Sequence, residues 1–476
     1  MESERPTIGD LIDTGVITVH KDGNHGSNYP RGHEFGDEGV LFLTAKLLSD
    51  SGRIDFESAP RLNSEKAKKI KFGYLKTDDV LLSHNATVGR VAVVPTISEE
   101  VLIGTSLTHF RLDTDQLLPR YLAAFFSGRD FQNQLAAFMS LSTRNQVPIT
   151  AQRKLRVDVP RMDVQRSIAH ILKTLDDKIE LNRRMNETLE SMARALFKSW
   201  FVDFDPVIDN ALAAGNSIPE PLAARAESRR DLGPARKPLA DNIRSLFPAT
   251  FAFDEEMGWV PEGWEVKPLG TYLQVLETGR RPKGGVSKYT TGVPSVGAES
   301  INGIGNFEFG KTKFVPHDFF DEMKSGKVQC HDVLLYKDGG KPGDFKPRIG
   351  MFGKGFPFDE FGINEHVFRL RSNELGQPFL YFQTASERVF HHLRVRGGKA
   401  AIPGVNRTEV KSVEFLVPSN DLLEQFNRST FAMIDRVLDN ASTSRCLAKL
   451  RDTLLPKLLS GELRIPEAEK LVANSV

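Results

Sequence analysis

Apolar and polar positions follow two recurring patterns along this chain. Apolar and β-branched runs bounded by turn residues, such as Val80–Ser83 and Val88–Val94, predict short paired strands. Between about Asp163 and Trp200 there is no proline or glycine, and apolar residues recur with heptad spacing, which predicts one long helix. The pattern therefore predicts a mixed α+β protein in which a strand-rich block precedes a long helix.

The heptad pattern predicts a second long helix near the end of the sequence. In the first helix the a and d positions are Ile168, Ile171, Leu175, Met185, Leu189, Met192 and Leu196. In the second, Phe426, Met433, Leu447, Leu450 and Leu454 fit the heptad, whereas Ser429, Arg436 and Lys457 do not. Asp163 is a plausible N-cap of the first helix, and Asp421 with Glu424 forms a capping box for the second. Each helix is predicted to span ~38 residues, or ~57 Å at ~1.5 Å per residue.

The two helices belong to an internal repeat of about half the chain. Asp79-Val80-Leu81-Leu82 recurs as Asp332-Val333-Leu334-Leu335, and Phe110-Arg111-Leu112 recurs as Phe368-Arg369-Leu370. The second offset, 258 residues, then holds through the pairs Leu122/Leu380, Leu135/Leu393, Thr150/Thr408, Pro160/Pro418, Asp177/Asp435, Asn182/Asn440 and Leu196/Leu454. An unbroken register of this length indicates two copies of one structural plan.

Each copy is predicted to contain the same elements. In the first copy we expect helices over Leu117–Phe126 and Phe131–Met139 and a last strand over Leu155–Val159, and the second repeats them with Val333–Tyr336, His366–Leu370, Phe379–Gln383 and Val413–Val417. The expected domains are a first globular block (1–161), a long helix (162–206), a connector (207–258), a second block (259–419), a second long helix (420–463) and a tail (464–476).

The connector decides how the two copies are expected to meet. Asp209–Phe253 is rich in Ala, Pro, Arg and Asp without a sustained period, which is typical of a long tether. Such a tether lets the second half fold back, so we expect a pseudo-two-fold repeat: two globular α/β blocks separated by two long antiparallel coiled-coil helices.

Helix pairing is predicted to involve Asn182, Leu189 and Leu196 of the first helix with Asn440, Leu447 and Leu454 of the second. Both asparagines occupy a positions, where a buried Asn fixes register at a cost in stability. They meet across the pair only if the helices are antiparallel with little stagger; the alternative is that one or both face solvent.

Composition narrows the class of protein. The chain has 476 residues, 40% hydrophobic and 26% charged, with a net charge of +1, as expected of a globular protein of two or three domains. It has no apolar run long enough to span a membrane and no apolar signal core, and its two cysteines, Cys330 and Cys446, are too few for a disulfide framework, so we expect a cytoplasmic protein. The balanced charge implies that any DNA binding depends on local patches.

Catalytic motifs are missing from the sequence. Gly339-Gly340-Lys341-Pro342 lacks the spacing of a phosphate-binding loop, and Gly303-Ile304-Gly305 lacks the third glycine of a dinucleotide fingerprint. His391-His392 has no third metal ligand nearby, and Asp203, Asp205 and Asp209 are typical of a solvated or capping face. We therefore expect neither catalytic residues nor a metal site.

Polar and basic residues concentrate instead in loops of both blocks, where each loop on its own is also consistent with an ordinary solvated turn. Arg and Lys can contact guanine, Asn and Gln adenine, and Lys and Arg also bind phosphates. The candidate DNA-binding residues of the first block are Lys21, Asn24, His25, Ser27, Tyr29, Arg31, Ser83, His84, Asn85, Thr87, Arg144, Asn145 and Gln146. Those of the second block are Arg280, Arg281, Lys283, Lys337, Lys341, Lys346, Arg348, Arg394, Arg396 and Lys399.

Several sequence strings resemble the specificity (S) subunit of Type I restriction–modification systems over nearly the whole chain. They are Leu175-Asp176-Asp177-Lys178-Ile179-Glu180-Leu181-Asn182, Met185-Asn186-Glu187-Thr188-Leu189-Glu190, Ala195-Leu196-Phe197-Lys198-Ser199-Trp200-Phe201-Val202-Asp203-Phe204, Pro261-Glu262-Gly263-Trp264 and Leu450-Arg451-Asp452-Thr453-Leu454-Leu455-Pro456-Lys457-Leu458-Leu459-Ser460-Gly461-Glu462-Leu463. The resemblance implies a non-catalytic subunit with two target-recognition domains, each reading one half of a gapped double-stranded DNA sequence. Arg436, at a d position, departs from ideal coiled-coil packing.

The resemblance also implies partners. Two adenine-methyltransferase subunits would bind the helices, and two restriction/translocase subunits would join through them, with S-adenosylmethionine, ATP and Mg²⁺ held by those partners and none by this chain. Trp200, Phe201 and Phe204 are candidates either for a partner interface or for local core. The alternatives are a stand-alone DNA-binding regulator and a coiled-coil scaffold for other proteins.

Overall fold

A computed structural model describes residues 5–23, 29–140, 145–233, 239–341, 344–398 and 403–476. The chain forms two compact units, of which the first is built from two separate chain segments and the second from one. Unit 1 comprises residues 1–179 and 446–476, and unit 2 comprises residues 180–445. Each unit therefore holds one strand-rich block and part of each long helix.

The helices in the described part of the chain are short except for two. They are α1 (Ile8–Asp13), α2 (Ser64–Lys69), α3 (Pro119–Ser127), α4 (Arg129–Ser140), α5 (Ile149–Gln152), α6 (Met162–Phe201), α7 (Asp205–Ala214), α8 (Ala223–Asp231), α9 (Asp241–Arg244), α10 (His317–Asp321), α11 (Gln377–Thr384), α12 (Glu387–Gly397), α13 (Arg407–Lys411), α14 (Asn420–Leu459) and α15 (Ile465–Ala473). Both α6 and α14 have 40 residues, so the predicted long helices are confirmed.

The strands are short throughout. Those of unit 1 are β1 (Ile17–Asp22), β2 (Phe35–Gly36), β3 (Val40–Leu43), β4 (Arg61–Leu62), β5 (Val80–Ser83), β6 (Val91–Val93), β7 (Val101–Ile103) and β8 (Leu107–Leu112). Those of unit 2 are β9 (Phe251–Asp254), β10 (Gly258–Pro261), β11 (Glu265–Pro268), β12 (Val275–Thr278), β13 (Val293–Val296), β14 (Gly303–Ile304), β15 (Lys313–Val315), β16 (Val333–Tyr336), β17 (Gly340–Lys341), β18 (Asp344–Phe345), β19 (Arg348–Met351), β20 (Gly362–Ile363), β21 (Val367–Arg371) and β22 (Glu414–Val417). The predicted mixture of helix and sheet is confirmed.

The main sheets of the two units have the same topology. Unit 1 has the order β1-β8-β5-β6, and unit 2 has β12-β21-β16-β19 with β14 added at the edge. In unit 1, β8 pairs antiparallel with β1 and β5, and in unit 2, β21 pairs antiparallel with β12 and β16. A second sheet in each unit contains one parallel pair, β3 with β7 in unit 1 and β13 with β20 in unit 2. The internal repeat predicted from sequence is thus a repeat of fold.

Strand pairing corrects one alignment within that repeat. Val80 pairs with Phe110, whereas Val333 pairs with Leu370, so Phe110 corresponds to Leu370 and not to Phe368. The error is two residues, and side chains two apart in a strand share a face. A shift of that size keeps the apolar pattern intact and cannot be seen from sequence.

A buried carboxylate ties the central strands together in each unit. Asp79, 1% exposed, accepts hydrogen bonds from Arg111 Nε (2.8 Å) and lies 3.3 Å from His109 Nδ1. Burial raises the pKa of Asp79, but the hydrogen bonds outweigh burial and leave the pKa below its usual value. In unit 2, fully buried Asp332 accepts from Arg371 Nε (2.7 Å) and from Arg369, which stand where Arg111 and His109 stand in unit 1.

The predicted strand over Leu155–Val159 is wrong. In unit 2 the corresponding β22 pairs with β11 over four residues, but in unit 1 pairing is limited to a single bridge between Thr7 and Arg156. Two backbone bonds flank this bridge, from the Val157 N–H to the Pro6 carbonyl (2.9 Å) and from the Ile8 N–H to the Leu155 carbonyl (2.8 Å), and the helix α1 begins immediately after Thr7, which caps it and ends the pairing there.

The connector expected as a tether is also different in the described residues. It contains α7, α8 and α9, and the acidic cluster that was expected to face solvent is ion-paired with α8. Arg225 bonds Asp205 (2.7 Å) and lies 3.2 Å from Asp203, while Arg229 bonds Asp209. These pairs fasten α8 to the end of α6 and to α7.

The long helices pair antiparallel within each unit. In unit 1, Arg451 donates to Asp176 over 2.8 Å, and Leu447 and Leu454 lie in the hydrophobic core of that unit. In unit 2, Asn182 donates to Ser444 (3.2 Å) and Asn186 to the Val437 carbonyl (3.1 Å). Leu189 and Leu196 are partly buried against the core of unit 2. Asn182 and Asn440 are therefore both buried in the helix pair, though not against each other.

Trp200 and Phe201 belong to the core of unit 2. They are 3% and 7% exposed, and Phe204 packs partly buried against the same cluster. Phe201 has its ring centroid 5.0 Å from that of Phe426 of α14 and 5.1 Å from that of Phe379 of α11. Of the two roles expected for these aromatic residues, the structure shows local core for Trp200 and Phe201, and Phe204 packs against that core.

Candidate nucleic-acid interface

In unit 1, two polar loops leave the main sheet at the same end of its strands. This end of the sheet is called the edge below. Asp22 at the end of β1 pairs with Thr108, and Ser83 at the end of β5 pairs with Leu107, so both strands end beside the start of β8. The first loop follows Asp22 and the second follows Ser83. Topology alone thus brings together two of the three polar segments predicted from sequence.

Backbone hydrogen bonds bring the third polar segment to the same edge. The N–H of Val147 donates to the His84 carbonyl (2.9 Å), and the N–H of Ala86 donates to the Asn145 carbonyl (3.0 Å). Asn85 and Gln146 form an isolated antiparallel bridge between these contacts. The loop after β5 is therefore held against residues 145–147 by main-chain bonds, which do not depend on side-chain identity.

The predicted residues of this edge differ in exposure. Lys21, Tyr29, Arg31 and Asn145 are exposed, and Asn85, Thr87 and Gln146 are half-buried. Ser83 and His84 are buried, at 0% and 1% exposed, and Ser83 Oγ accepts a hydrogen bond from the Arg90 N–H (2.8 Å). Ser83 and His84 thus support the loop and do not present their side chains at the surface. Asn24, His25, Ser27 and Arg144 lie outside the described residues.

Gln152 of α5 links the parts of this edge. It is fully buried, and no sequence pattern singles it out. Its Nε2 donates to Thr108 Oγ1 and to the Val147 carbonyl, both over 3.0 Å, and its Oε1 lies 3.1 Å from His20 Nε2. Burial lowers the pKa of His20 to about 4, so the imidazole is neutral near pH 7 and donates to Gln152. Only the spatial proximity of α5, β1 and β8 reveals this network.

Unit 2 forms the corresponding edge. Thr278 at the end of β12 pairs with Phe368, and Tyr336 at the end of β16 pairs with Val367. The Gly339 N–H donates to the Pro403 carbonyl (2.8 Å) and the Val405 N–H to the Lys337 carbonyl (2.7 Å). Asp338 and Gly404 form the bridge that matches the one between Asn85 and Gln146. The same backbone framework is thus present in both units.

Several predicted basic residues of unit 2 are engaged by acidic neighbours. Arg281 pairs with Glu365, and Lys337 donates to Asp338 (2.6 Å), which also lies 2.6 Å from His366 Nδ1. Burial raises the pKa of Glu365, but Arg281 outweighs burial and lowers that pKa overall. The role of Asp338 and Glu365 in neutralising this edge was missed from sequence, since the acids come from different loops.

The other predicted residues of unit 2 are more open. Arg280, Lys283 and Lys346 are exposed, and the Arg348 guanidinium lies over the Tyr336 ring at 4.8 Å from its centroid. The side chain of Lys341 and the whole of Lys399 lie outside the described residues.

Arg394 and Arg396 were expected in a loop and lie on α12. Both are exposed; Arg394 bonds Glu387 (2.5 Å) and Arg396 bonds Ser412 Oγ (2.8 Å). The helix continues because Ser386 caps its start and Val389 and Leu393 bury one face, which sequence inspection of the Arg-Val-Arg-Gly-Gly run did not weigh.

Neither a membrane-spanning helix nor a metal site is found among the described residues. No helix there is both long and apolar enough to cross a membrane. No group of three or more His, Cys, Asp or Glu side chains in the same part of the chain is arranged to hold a metal ion.

Part of the chain is similar to a known class of domain. The family model described as the Type I restriction modification DNA specificity domain matches residues 37–191, which include much of unit 1 and the first thirty residues of α6.

Whole-chain comparisons point to the same kind of protein. The chain is 26% identical over 424 residues to the Type I restriction enzyme HindI specificity subunit of Haemophilus influenzae, covering 82% of this chain and 87% of the relative. It is 22% identical to the MjaIX specificity subunit of Methanocaldococcus jannaschii, covering 91% and 89%. The resemblance to Type I specificity subunits predicted from the sequence strings is confirmed by these matches.

One solved structure is also similar over most of its length. It is the Type-I restriction-modification system S subunit from M. genitalium, which matches with a TM-score of 0.48 and 13% identity over 95% of each chain.

Proposed function

We propose that this chain is the non-catalytic DNA sequence-specificity subunit of a Type I restriction–modification complex, and that each unit recognises one half of a bipartite, gapped target. One observation carries the proposal. In unit 1, backbone hydrogen bonds join the loop after β5 (residues 84–86) to residues 145–147. In unit 2, the same bonds join the loop after β16 (residues 337–339) to residues 403–405, while the side chains on the loops differ. A constant framework with varied side chains suits two readers of different sequences.

The exposed side chains fit such reading. In unit 1, Asn145 and Gln146 carry the amide groups that pair with adenine, and Lys21 and Arg31 are suited to guanine or phosphate. In unit 2, Arg280, Lys283 and Lys346 supply positive charge at the corresponding edge. The different side chains at the two edges favour different half-sites for the two units.

We further propose that two adenine-methyltransferase subunits bind α6 and α14, and that the motor-nuclease subunits join through them. S-adenosylmethionine, ATP and Mg²⁺ would then be held by those partners. Supporting this, α6 exposes large apolar side chains in unit 2, with Leu181 and Met192 each about half exposed at 52% and 51%. Exposed apolar residues on a helix face are typical of a protein interface.

The decisive experiment is co-expression of the chain with the adenine methyltransferase encoded beside it, followed by genome-wide sequencing of modified adenines. We expect methylation at one gapped, asymmetric site, and none there when the chain is omitted. Methylation of the same site without the chain would refute the proposal. Replacing residues 1–161 by those of a related chain should change one half of the site only.

The same preparations separate the alternatives. A stand-alone regulator binds its site tightly without any methyltransferase, and a protein scaffold is not retained on DNA with or without a partner. Neither alternative produces methylation that depends on this chain.

A further inference from the structure

A lysine-rich segment of unit 1, residues 64–73, lies next to the candidate interface and was not singled out from sequence. It consists of α2 and the turn that follows. Asn63 caps the helix by accepting from the Lys66 N–H (2.8 Å), and Ala67 and Ile70 are buried beneath it. With that face turned inward, Lys68, Lys69 and Lys71 are exposed. This stretch is called the lysine segment below.

The lysine segment ends beside the strand from which the first polar loop leaves. The Ile103 N–H donates to the Gly73 carbonyl (3.0 Å), and a Cβ built on Gly73, which has a φ of +90°, would stand 3.9 Å from the Asp22 carbonyl. Gly23 in turn stands against Gly104, so closely that a Cβ on Gly23 would lie 2.3 Å from its backbone. The segment is therefore continuous with the loop edge that carries Lys21.

Within the described part of the chain, these three lysines form no ion pair. Lys66, by contrast, pairs with Glu34 over 3.2 Å. Glu65, the acid nearest in sequence, precedes Lys68 by three residues and Lys69 by four, a spacing at which helix side chains are neighbours, yet neither lysine pairs with it in the structure. Exposed ammonium groups without a carboxylate partner remain available for an anionic ligand.

Unit 2 has the same backbone at this place with the opposite charge. Helix α10 begins 253 residues after α2, and the Ile363 N–H donates to the Gly326 carbonyl (2.8 Å) as Ile103 does to Gly73. At the same offset, Asp321 and Glu322 occupy the places of Lys68 and Lys69, and Lys324 that of Lys71. Three positive charges in unit 1 thus correspond to two negative and one positive charge in unit 2.

We propose that the lysine segment binds phosphates of the DNA backbone beside the sequence that unit 1 reads, and that unit 2 makes no such contact at the matching place. The inference rests on the proposed function. A lysine binds phosphate as a point charge and carries no base preference, so the segment adds affinity and orientation to unit 1 without changing its target. Asp321 and Glu322 would repel the backbone, so the grip on DNA is asymmetric.

The test is the salt dependence of DNA binding by the full chain. The probe is a mixed-sequence duplex of about 40 base pairs, roughly four helical turns. Each phosphate contact contributes about one unit to the slope of log affinity against log salt concentration. We expect the double variant K68D/K69E, which gives unit 1 the charges of unit 2, to reduce that slope by about two units, and D321K/E322K to steepen it.

Lys154 provides a matched control. It is exposed in unit 1 and follows Arg153, whose carbonyl accepts from the Gly9 N–H of α1 (2.8 Å). Lys154→Glu reverses one charge, as each half of the double variant does, and should leave the slope within half a unit of wild type, about half of one phosphate contact. Circular dichroism of all variants confirms that these surface changes leave the fold intact.

The outcomes separate the inference from the proposed function. If wild type binds DNA and K68D/K69E changes the slope no more than K154E does, the lysine segment is not a phosphate contact, while the proposed function stands. A wild-type chain that does not bind the duplex at any salt concentration overturns both. A steeper slope in D321K/E322K supports the inference independently, because it shows that lysines added at the matching place of unit 2 gain phosphate contacts.

Discussion

Asn440 of α14 donates a hydrogen bond from its Nδ2 to Oδ1 of Asn186 of α6, over 2.8 Å. Both residues lie in unit 2, as do Asn182 and its partner Ser444. The repeat places Asn182 and Asn440 at equivalent positions, but they do not pair with each other. Asn182 pairs with Ser444, one helical turn after Asn440, and Asn440 pairs with Asn186, one turn after Asn182. The stagger of the helices is set by two different polar pairs.

Coupling between Asn186 and Asn440 can be measured directly. In a double-mutant cycle with Asn186→Ala and Asn440→Ala, we expect an interaction of about 0.5–1.5 kcal/mol, the usual net value of a hydrogen bond. Urea unfolding followed by fluorescence supplies the free energies. Asn182→Ala combined with Asn440→Ala is the control and should be additive within about 0.5 kcal/mol. Additivity of the first pair would contradict the register described above.

Removing the carboxylate of Asp332 should be strongly destabilising. Asp332→Ala leaves Arg369, itself 7% exposed, and Arg371 without their shared partner, and a broken buried ion pair costs about 3–5 kcal/mol. The free energy of unfolding from denaturant titration measures this loss. Glu424→Ala, which removes the exposed pair with Arg428, should cost less than about 1 kcal/mol. Equal effects for the two variants would show that Asp332 has no special role.

Trp200 distinguishes a core role from a binding role. Trp200→Ala should lower the free energy of unfolding by about 3–5 kcal/mol, because the side chain is buried against Phe247 and Phe426. Met192→Ala, at an exposed position of the same helix, should change it by no more than about 0.5 kcal/mol. If Trp200→Ala weakened only partner binding, with stability unchanged, the residue would be an interface residue.

We expect the half-buried His20 to make unit 1 sensitive to acid. Its pKa is about 4 when folded and about 6.5 when unfolded, so the unfolded state binds the proton first. The stability it contributes is complete above pH 6.5 and is lost as pH falls toward 4. Between pH 7 and pH 5 we expect a loss of about 2 kcal/mol.

His20→Leu provides the comparison, because Leu276 occupies the matching place in unit 2, opposite Leu370 as His20 is opposite Phe110. The urea midpoint of unfolding is measured for both proteins at the two pH values. The difference between wild type and variant then reports the contribution of His20 alone, because the many carboxylates that titrate in the same range are common to both proteins. A pH dependence that survives in His20→Leu would mean that other groups are responsible.

Much of the fold could be predicted because it rests on local pattern. Heptad spacing gave both long helices, and the apolar runs after Asp79 and Asp332 gave matching central strands. The two-residue error in aligning Phe110 with Phe368 could not be detected, because side chains in a strand repeat every two residues. The absence of a strand after Leu155 depends on where α1 begins, since its start at Ile8 ends the pairing with residues 155–157. Both errors arise from pairing between distant segments.

The candidate interface was predictable as a set of loops but not as a surface. Polar composition indicated the loops, whereas the burial of Ser83 and His84, the Gln152 network and the acids that neutralise Arg281 and Lys337 follow from contacts across the sheet. The lysine segment was not predicted as part of the interface, because a run of lysines in a sequence is typical of any solvated helix. Its position beside the edge that carries Lys21 is known only from the structure.

Unit 1 is completed by residues that follow the whole of unit 2 along the chain. Its core includes Leu447 and Leu454 of α14 and Ala468 and Val472 of α15, packed with residues from as early as Ile8. During synthesis, unit 2 can close its core while unit 1 is still waiting for its last segment. The block that is translated first is thus the block that finishes folding last, and in the interval its unfinished apolar surface is a natural target for chaperones.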